Sequence, residues 1–268
     1  MSKVLGVSCS GYYAWFKRPS SQRDQDNRAL SDEIGTLFFK HHRRYGEPRI
    51  TRTLKAEGHH VNHKRVARIM RENSWKAKAA KRFKATTNSR HNLPVAPNLL
   101  KQDFVALTPN QKWCSDITYI WTEEGWLYLA VILDLFSKKI IGWSQSERMT
   151  RQLVIDALQM ALWRRKMPEK VIVHSDRGRQ YCSEDYQKLL KKHNLVCSMS
   201  KKGDCYDNAA LESWNHSFKI EAIHGEKFKT RNAAKAHVFE YIELYYNRSR
   251  MHSGLGYLTP EQFERNVS

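Results

Sequence analysis

The short links between three apolar segments constrain this fold more than any other feature. "QKWCSDITYIW", "GWLYLAVILDLF" and "KKIIGWSQS" follow one another between Gln111 and Ser146 with only a few residues separating them. Each is rich in the β-branched and aromatic residues that suit a pleated, half-buried surface. Parallel neighbours need a crossover of a dozen or more residues, so links this short specify an antiparallel meander. The first turn falls at Glu124–Gly125.

Beyond the meander the pattern alternates. "TRQLVIDALQMALWRRK" has the spacing of an amphipathic helix, "EKVIVHSD" of a short buried strand, and "SEDYQKLLKKHN" of a second helix. "LVCSMS" is a strand, "DNAALESWNHSFK" a helix and "TRNAAKAHVFEYIELYYNRS" a last helix, with an irregular tail from Arg250. The order β-β-β-α-β-α-β-α-α describes an α/β domain over residues 104–268. Its first and fourth strands can lie side by side at the sheet centre. No internal repeat is visible.

The first hundred residues differ. Residues 1–20 suggest a short helical segment interrupted at Ser10–Gly11, followed by a polar connection, "SSQRDQDN". Within residues 21–75, helical periodicity begins near Ala29 and carries Leu30, Ile34, Leu37 and Phe38. Pro48 suits the first turn of a second helix and Gly58 its end. Asn62 suits the N-cap of a third, with Val66, Ile69 and Met70 facing inward. Lys64, Arg65, Arg68 and Arg71 then lie exposed on that third helix, as in a helix-turn-helix entering a DNA groove. The same pattern also fits a small bundle with a solvated basic face. Residues 76–103 are Lys/Arg-rich, with Pro94 and Pro97, and suggest a basic linker.

Charge separates the two parts. Residues 1–103 carry 22 Lys/Arg against 8 Asp/Glu, a balance of +14, and the remainder carries 24 against 19, or +5. A basic arm on a near-balanced domain points to nucleic acid as partner. No apolar run reaches transmembrane length, and the N-terminus makes a poor signal peptide, so a cytoplasmic protein without membrane contact is expected. The five cysteines are odd in number and contain no Cys-x-x-Cys pair, which argues against a disulfide framework or zinc knuckle. They are expected to be small buried apolar residues. His41, His42, His59, His60 and His63 fit basic surface better than a zinc site.

Three carboxylates stand in awkward places. Asp116 interrupts an apolar strand, where an unpaired carboxylate is costly. Asp176 follows the strand "VIVH" at its C-terminal end, where ligand sites gather in α/β sheets. Glu212 shares a polar helical stripe with Asn208, Asn215 and Lys219, apart from the apolar stripe of Leu211, Trp214 and Phe218. Each has an ordinary reading: an ion pair, an Asp-x-Gly turn with Gly178, and a solvent-facing helix residue. Together they are separated by 59 and then 35 residues, in a topology that can bring all three together. Three anionic oxygen ligands suit Mg²⁺ or Mn²⁺. Two such ions can activate an attacking oxygen and stabilise the leaving oxygen of a phosphodiester. Asp134 ends the second strand and reads as structural; Asp207 and Asn208 read as caps of the helix carrying Glu212.

"WCSDITYI", "VIVHSDRGRQYCS" and "GDCYDNAALESWNHSFK" resemble the motifs of retroviral-integrase-like bacterial insertion-sequence transposases. The chain is similar to the downstream reading frame of the group assembled from two overlapping frames. The likeness extends from about Val4 to Phe263 and includes "RYGEPRI" and "GWLYLAVILDLFSKKIIGWS". It implies an RNase-H-like integrase core, a mixed five-stranded sheet flanked by helices, behind a small helix-turn-helix-like domain. It implies Asp116, Asp176 and Glu212 as catalytic ligands of two divalent ions, Mg²⁺ first. The implied reactions are cleavage that frees a 3′-OH at the element end and attack of that hydroxyl on another phosphodiester. Lys219 matches the family's basic residue near terminal DNA. Arg177, Arg179, Asn208 and Asn215 are further candidate DNA contacts. Arg179 replaces the family's common second glycine. The resemblance also implies an oligomer on element ends and target DNA at the bacterial nucleoid, and an upstream-frame partner or fusion, since the chain shows no sustained heptads of its own. A nuclease without strand transfer, or a noncatalytic DNA-binding regulator, are the competing readings.

Overall fold

A computed structural model describes residues 6, 8–78, 94–201 and 205–267. The chain divides into two compact units, Met1–Lys78 and Ala79–Ser268. Among the described residues no helix is long and apolar enough to cross a membrane.

The first unit is helical. Helix α1, Cys9–Lys17, runs unbroken through Ser10 and Gly11. Ser8 caps it by accepting from the Gly11 N–H, and a glycine confined to the first turn interrupts little. Helix α2, Gln22–Lys40, begins well before the apolar periodicity because Ser21 caps it and Gln22 bonds Asp26 one turn on. The stretch read as a polar connection is therefore its first turns. Helices α3, Glu47–Ala56, and α4, His63–Glu72, follow. Pro48 stands in the first turn of α3, and Gly58 takes φ +92° just past its end. Asn62 caps α4 through the Lys64 N–H. Ile34, Phe38, Ile50, Leu54, Val66 and Ile69 form the core of this unit.

The second unit is built on a five-stranded sheet of order β3-β2-β1-β4-β5. Strands β1 (Lys112–Thr122), β2 (Gly125–Asp134) and β3 (Ile140–Ser146) form the antiparallel meander. Gly125 at φ +104° permits the tight β1–β2 turn. Strands β4 (Ile172–Ser175) and β5 (Val196–Met199) add in parallel on the other side of β1. Helix α5, Arg151–Arg164, covers β2 and β3 with Val154, Ala157, Leu158 and Ala161. A Cβ on Gly142 of β3 would sit 2.2 Å from the Ala157 carbonyl oxygen, so glycine sets that approach. Helix α6, Glu184–Lys192, packs Tyr186 and Leu190 into the same core.

The C-terminal third departs from regular helix. A 3₁₀ turn, Cys205–Asn208, leads into α7, Ala209–Phe218, which continues as a π-helical stretch, Lys219–Ile223. Helix α8, Arg231–Phe239, likewise passes into a π-helical stretch, Glu240–Tyr246. The tail is ordered rather than irregular. Arg250 reaches Glu221 at 2.7 Å with both side chains buried, and Tyr241 donates to the same carboxylate. Asn247 bonds both the N–H and the carbonyl of Ile140, satisfying the start of the edge strand β3. Helix α9, Pro260–Arg265, closes the unit with a Thr259–Gln262 capping box.

Of the residues expected in a linker, 79–93 lie outside the described residues. Residues 97–100 are fastened to β5: Pro97 accepts from the Met199 N–H, and Leu99 and Leu100 donate to the Ser198 hydroxyl. Cys9 is exposed, against the expectation of burial, while Cys114 and Cys182 are buried. The Cys205 side chain lies outside the described residues.

Candidate active site

The register of β1 against β4 builds the site. Cys114 pairs with His174 and Ser115 with Ser175. The next residues are Asp116, within β1, and Asp176, just past the end of β4. Two carboxylates thus leave neighbouring parallel strands side by side. Asp116 Oδ1 accepts from the Ile117 N–H at 2.9 Å, and Asp116 Oδ2 accepts from Asn215 Nδ2 at 2.8 Å. Asp176 Oδ1 accepts from the Gly178 N–H at 2.9 Å. A Cβ on Gly178 would stand only 2.9 Å from that oxygen, so this turn favours glycine for space.

Helix α7 supplies the third acid. Leu211, Trp214 and Phe218 are buried, as their stripe requires. The opposite stripe is not simple surface, because it leans on β1. Asn215 meets Asp116, and Lys219 donates to the Tyr119 carbonyl and lies 4.8 Å over the Tyr119 ring. Glu212, one turn from Asn215, remains exposed.

Electrostatics ties the acids together. Burial, then the charge of Asp176, and to a lesser degree Glu212, push the Asp116 carboxyl up to about 8. Desolvation also raises Glu212. Beneath the pair, the Tyr181 hydroxyl lies 3.0 Å from Ser115 Oγ. Its titration moves well upward through burial, then through Asp116 and Asp176. Carboxylates that raise one another are relieved by a cation between them. The all-oxygen donor set fits a hard divalent ion. The buried Asn215 Oδ1 has no hydrogen-bond partner, so the polar site is not internally closed. Among the described residues no cluster of three or more His, Cys, Asp or Glu is already drawn into metal-holding geometry. Asp116 and Asp176 lie together, and Glu212 on α7 is near enough to act on the Asp116 charge.

The remaining expected residues divide. Arg179, in the loop after Asp176, is exposed, whereas Arg177 Nε donates to the Ser200 carbonyl at 2.6 Å. Asn208 is buried, occupies the N-cap position of α7 and makes no side-chain capping bond. Asp207 does not cap α7 either; it accepts from the Lys201 N–H and Asn98 Nδ2, anchoring the segment after β5. Lys219 is turned onto β1, and burial lowers its ammonium to about 8. Asp134 is structural: it accepts from the Asn110 and Phe136 N–H groups and pairs with Arg165. In the first unit Lys64 and Arg71 are exposed, and Arg65 and Arg68 are partly covered.

Sequence reasoning missed one support of the site and the partner of another. His174 is buried with its ring nitrogens 2.8 Å from Ser198 Oγ and 3.1 Å from Ser200 Oγ, linking the ends of β4 and β5. Asn215 was readable as a polar residue on the Glu212 stripe, but its partner is Asp116 rather than the glutamate.

Comparison with known proteins places the chain in a family. An integrase core domain model matches residues 106–205, a second integrase core model residues 212–267, and an HTH-like domain model residues 24–83. The "Transposase InsF for insertion sequence IS3A" of Escherichia coli (strain K12) is 54% identical over 266 residues, covering 98% of this chain and 92% of that protein. The chain belongs to the insertion-sequence transposase family. An "Insertion element IS600 uncharacterized 31 kDa protein" of Shigella sonnei is 44% identical, over 98% of this chain and 97% of its own. Among solved structures, a chain of a simian T-cell lymphotropic virus intasome bound to the PP2A regulatory subunit B56 gamma aligns with TM-score 0.48. It is 17% identical over 86% of this transposase and 74% of that chain.

Proposed function

We propose that this transposase cuts and joins DNA at insertion-sequence ends, with Asp116, Asp176 and Glu212 as the ligands of two divalent cations, Mg²⁺ by preference and Mn²⁺ as a substitute. The observation that carries this reading is the β1–β4 register, which sets Asp116 beside Asp176. In the first step a water oxygen attacks phosphorus at the element end, the P–O3′ bond breaks, and the proton goes to the leaving 3′ oxygen. In the second, that 3′-OH attacks a target phosphodiester; one P–O bond forms, one breaks, and the proton passes to the new leaving hydroxyl. Bonds balance, so joining needs no external energy source.

When bound, the cations would supply charge stabilisation for the attacking and leaving oxygens. The protein supplies placement. Asn215 and the Ile117 N–H orient Asp116, Gly178 orients Asp176, and the buried stripe of α7 holds Glu212 beside them. Arg179 is the exposed cation nearest Asp176 in sequence and serves as a phosphate contact; Lys219 serves as a second once it exchanges the Tyr119 carbonyl for DNA. The protein works at the nucleoid as an assembly of copies on paired ends, alone or fused to the upstream frame.

The test is to incubate the full chain with labelled terminal DNA, a target duplex and Mg²⁺. Joined product is expected alongside released strand. Release with no joined product would replace this reading with a nuclease.

A further inference from the structure

Past Ser115, strand β1 loses β4 as a neighbour, because β4 pairs only with Lys112 to Ser115. The remaining stretch carries Asp116 at its start and a row of aromatic residues toward its end. In the register with β2, Tyr119 pairs with Tyr128 and Trp121 with Trp126, the last pair before the turn. The Trp121 and Trp126 rings meet edge to face with centroids 4.8 Å apart, and Tyr119 meets Trp126 in the same way at 5.0 Å. Cross-strand aromatic pairs steady a hairpin, which accounts for the pairing. It does not account for the exposure, which is 58% at Trp121 and 43% at Trp126. Edge-to-face contact leaves ring faces uncovered. A cation stands toward each end of the row. Lys219 Nζ lies 4.8 Å over the Tyr119 ring, and Arg231 Nε donates to the Trp126 carbonyl at 3.2 Å.

We propose that the Trp121–Trp126 pair is a stacking platform for unpaired bases beside the cut, so that the protein holds a frayed DNA end more tightly than a fully paired one. Stacking a base needs a bare aromatic face, and the strand carrying that base needs a cation within reach. Both are present. Trp121 lies five residues beyond Asp116 on the same strand, about 17 Å at the usual rise per residue. About five stacked nucleotides span the same length. A DNA strand with its reacting phosphate at Asp116 therefore passes Lys219 and meets the indoles only a few nucleotides from the cut. In an intact duplex those bases are paired and stacked on each other, and offer the indoles no face. The turn acids Glu123 and Glu124 follow directly after Trp121 and its neighbour Thr122, and end the platform by repelling further phosphates. The inference rests on the DNA-cutting site proposed above. It adds a preference for unpaired ends, which three carboxylates alone do not give.

The experiment measures binding of the full chain, in EDTA, to a duplex of arbitrary sequence and to the same duplex ending in a short unpaired oligothymidine tail. A 2-aminopurine in the tail reports stacking by loss of its fluorescence. The parent chain should bind the tailed duplex about 5- to 150-fold more tightly, the worth of stacking one base. Trp121→Leu and Trp126→Leu keep an apolar cross-strand contact but no aromatic face. Each should remove most of the preference and restore the fluorescence, with affinity for the paired duplex unchanged. Trp121→Tyr keeps a smaller ring, should fall between the two, and decides the matter should a leucine variant not fold. A preference that survives these substitutions would overturn the proposal, as would an equal loss on both duplexes by a folded variant. So would a self-association in sedimentation that Trp121→Leu abolishes while the tail preference stays, since the indoles would then join two copies. Strand cutting is followed separately in Mg²⁺. A chain that prefers the tail but cuts nothing would refute the catalytic reading and leave the platform standing; one that cuts without any tail preference would refute the platform alone.

Discussion

Asn215 is the side chain that separates holding a ligand in place from being one. Its amide fixes one oxygen of Asp116 and leaves the other free of that constraint. Asn215→Ala should lower Mg²⁺-dependent cleavage about 10–100-fold, the usual effect of losing a group that orients a metal ligand. The Mg²⁺ concentration for half-maximal rate should rise while DNA binding in EDTA stays constant; an unchanged Mg²⁺ dependence would contradict the positioning role. Titration gives a second prediction at this scale. Burial holds His41 and His174 down to about 4, from an ordinary value of 6.5. Between those values the unfolded chain binds more protons than the folded one, so stability is intact above about 6.5 and declines as pH falls toward about 4. His41 stacks on Tyr45 with ring centroids 3.8 Å apart. His41→Phe keeps an aromatic ring there and should flatten part of the loss in a thermal-melt series. A wild-type midpoint constant from neutral pH to pH 4 would contradict this.

At the scale of elements, the π-helical stretch after α7 is locked by one buried ion pair. Arg250→Met would take the guanidinium from the buried Glu221 carboxylate, a change costing about 3–5 kcal/mol in comparable buried pairs. Adding Glu221→Gln should recover most of that loss in urea denaturation, and an additive double variant would contradict the account. Gly142→Ala drives a methyl into the α5 backbone and should cost at least about 1–3 kcal/mol by the same measurement. The meander and its alternating helices were legible because apolar periodicity and link length leave few options. The start of α2 was not, since caps and i,i+4 polar pairs leave no apolar trace. Helix α9 was legible in principle from Thr-Pro-Glu-Gln, a capping box with proline in the first turn, although its apolar content is slight. The π-helical stretches follow from tertiary demands on Glu221 and the tyrosines near it, which no local pattern announces.

At the scale of the molecule, a basic helical unit precedes a mixed α/β unit that carries the acids. The uneven charge of the sequence points to two parts but says little of individual contacts. Arg177 is spent on Ser200, Lys219 on Tyr119, and Asn208 is buried. Spacing and topology brought Asp116 and Asp176 together on paper as the sheet does in space. Glu212 alone reads as surface and is in fact exposed, so its role depends on what the other two acids need rather than on its own surroundings. That dependence is the central claim, and single Asp116→Asn, Asp176→Asn and Glu212→Gln variants test it most directly on labelled terminal DNA with Mg²⁺. Each should bind DNA like the parent chain and yield neither freed 3′-OH strand nor joined product. Cleavage or joining at the parental rate by Glu212→Gln would contradict the three-carboxylate site.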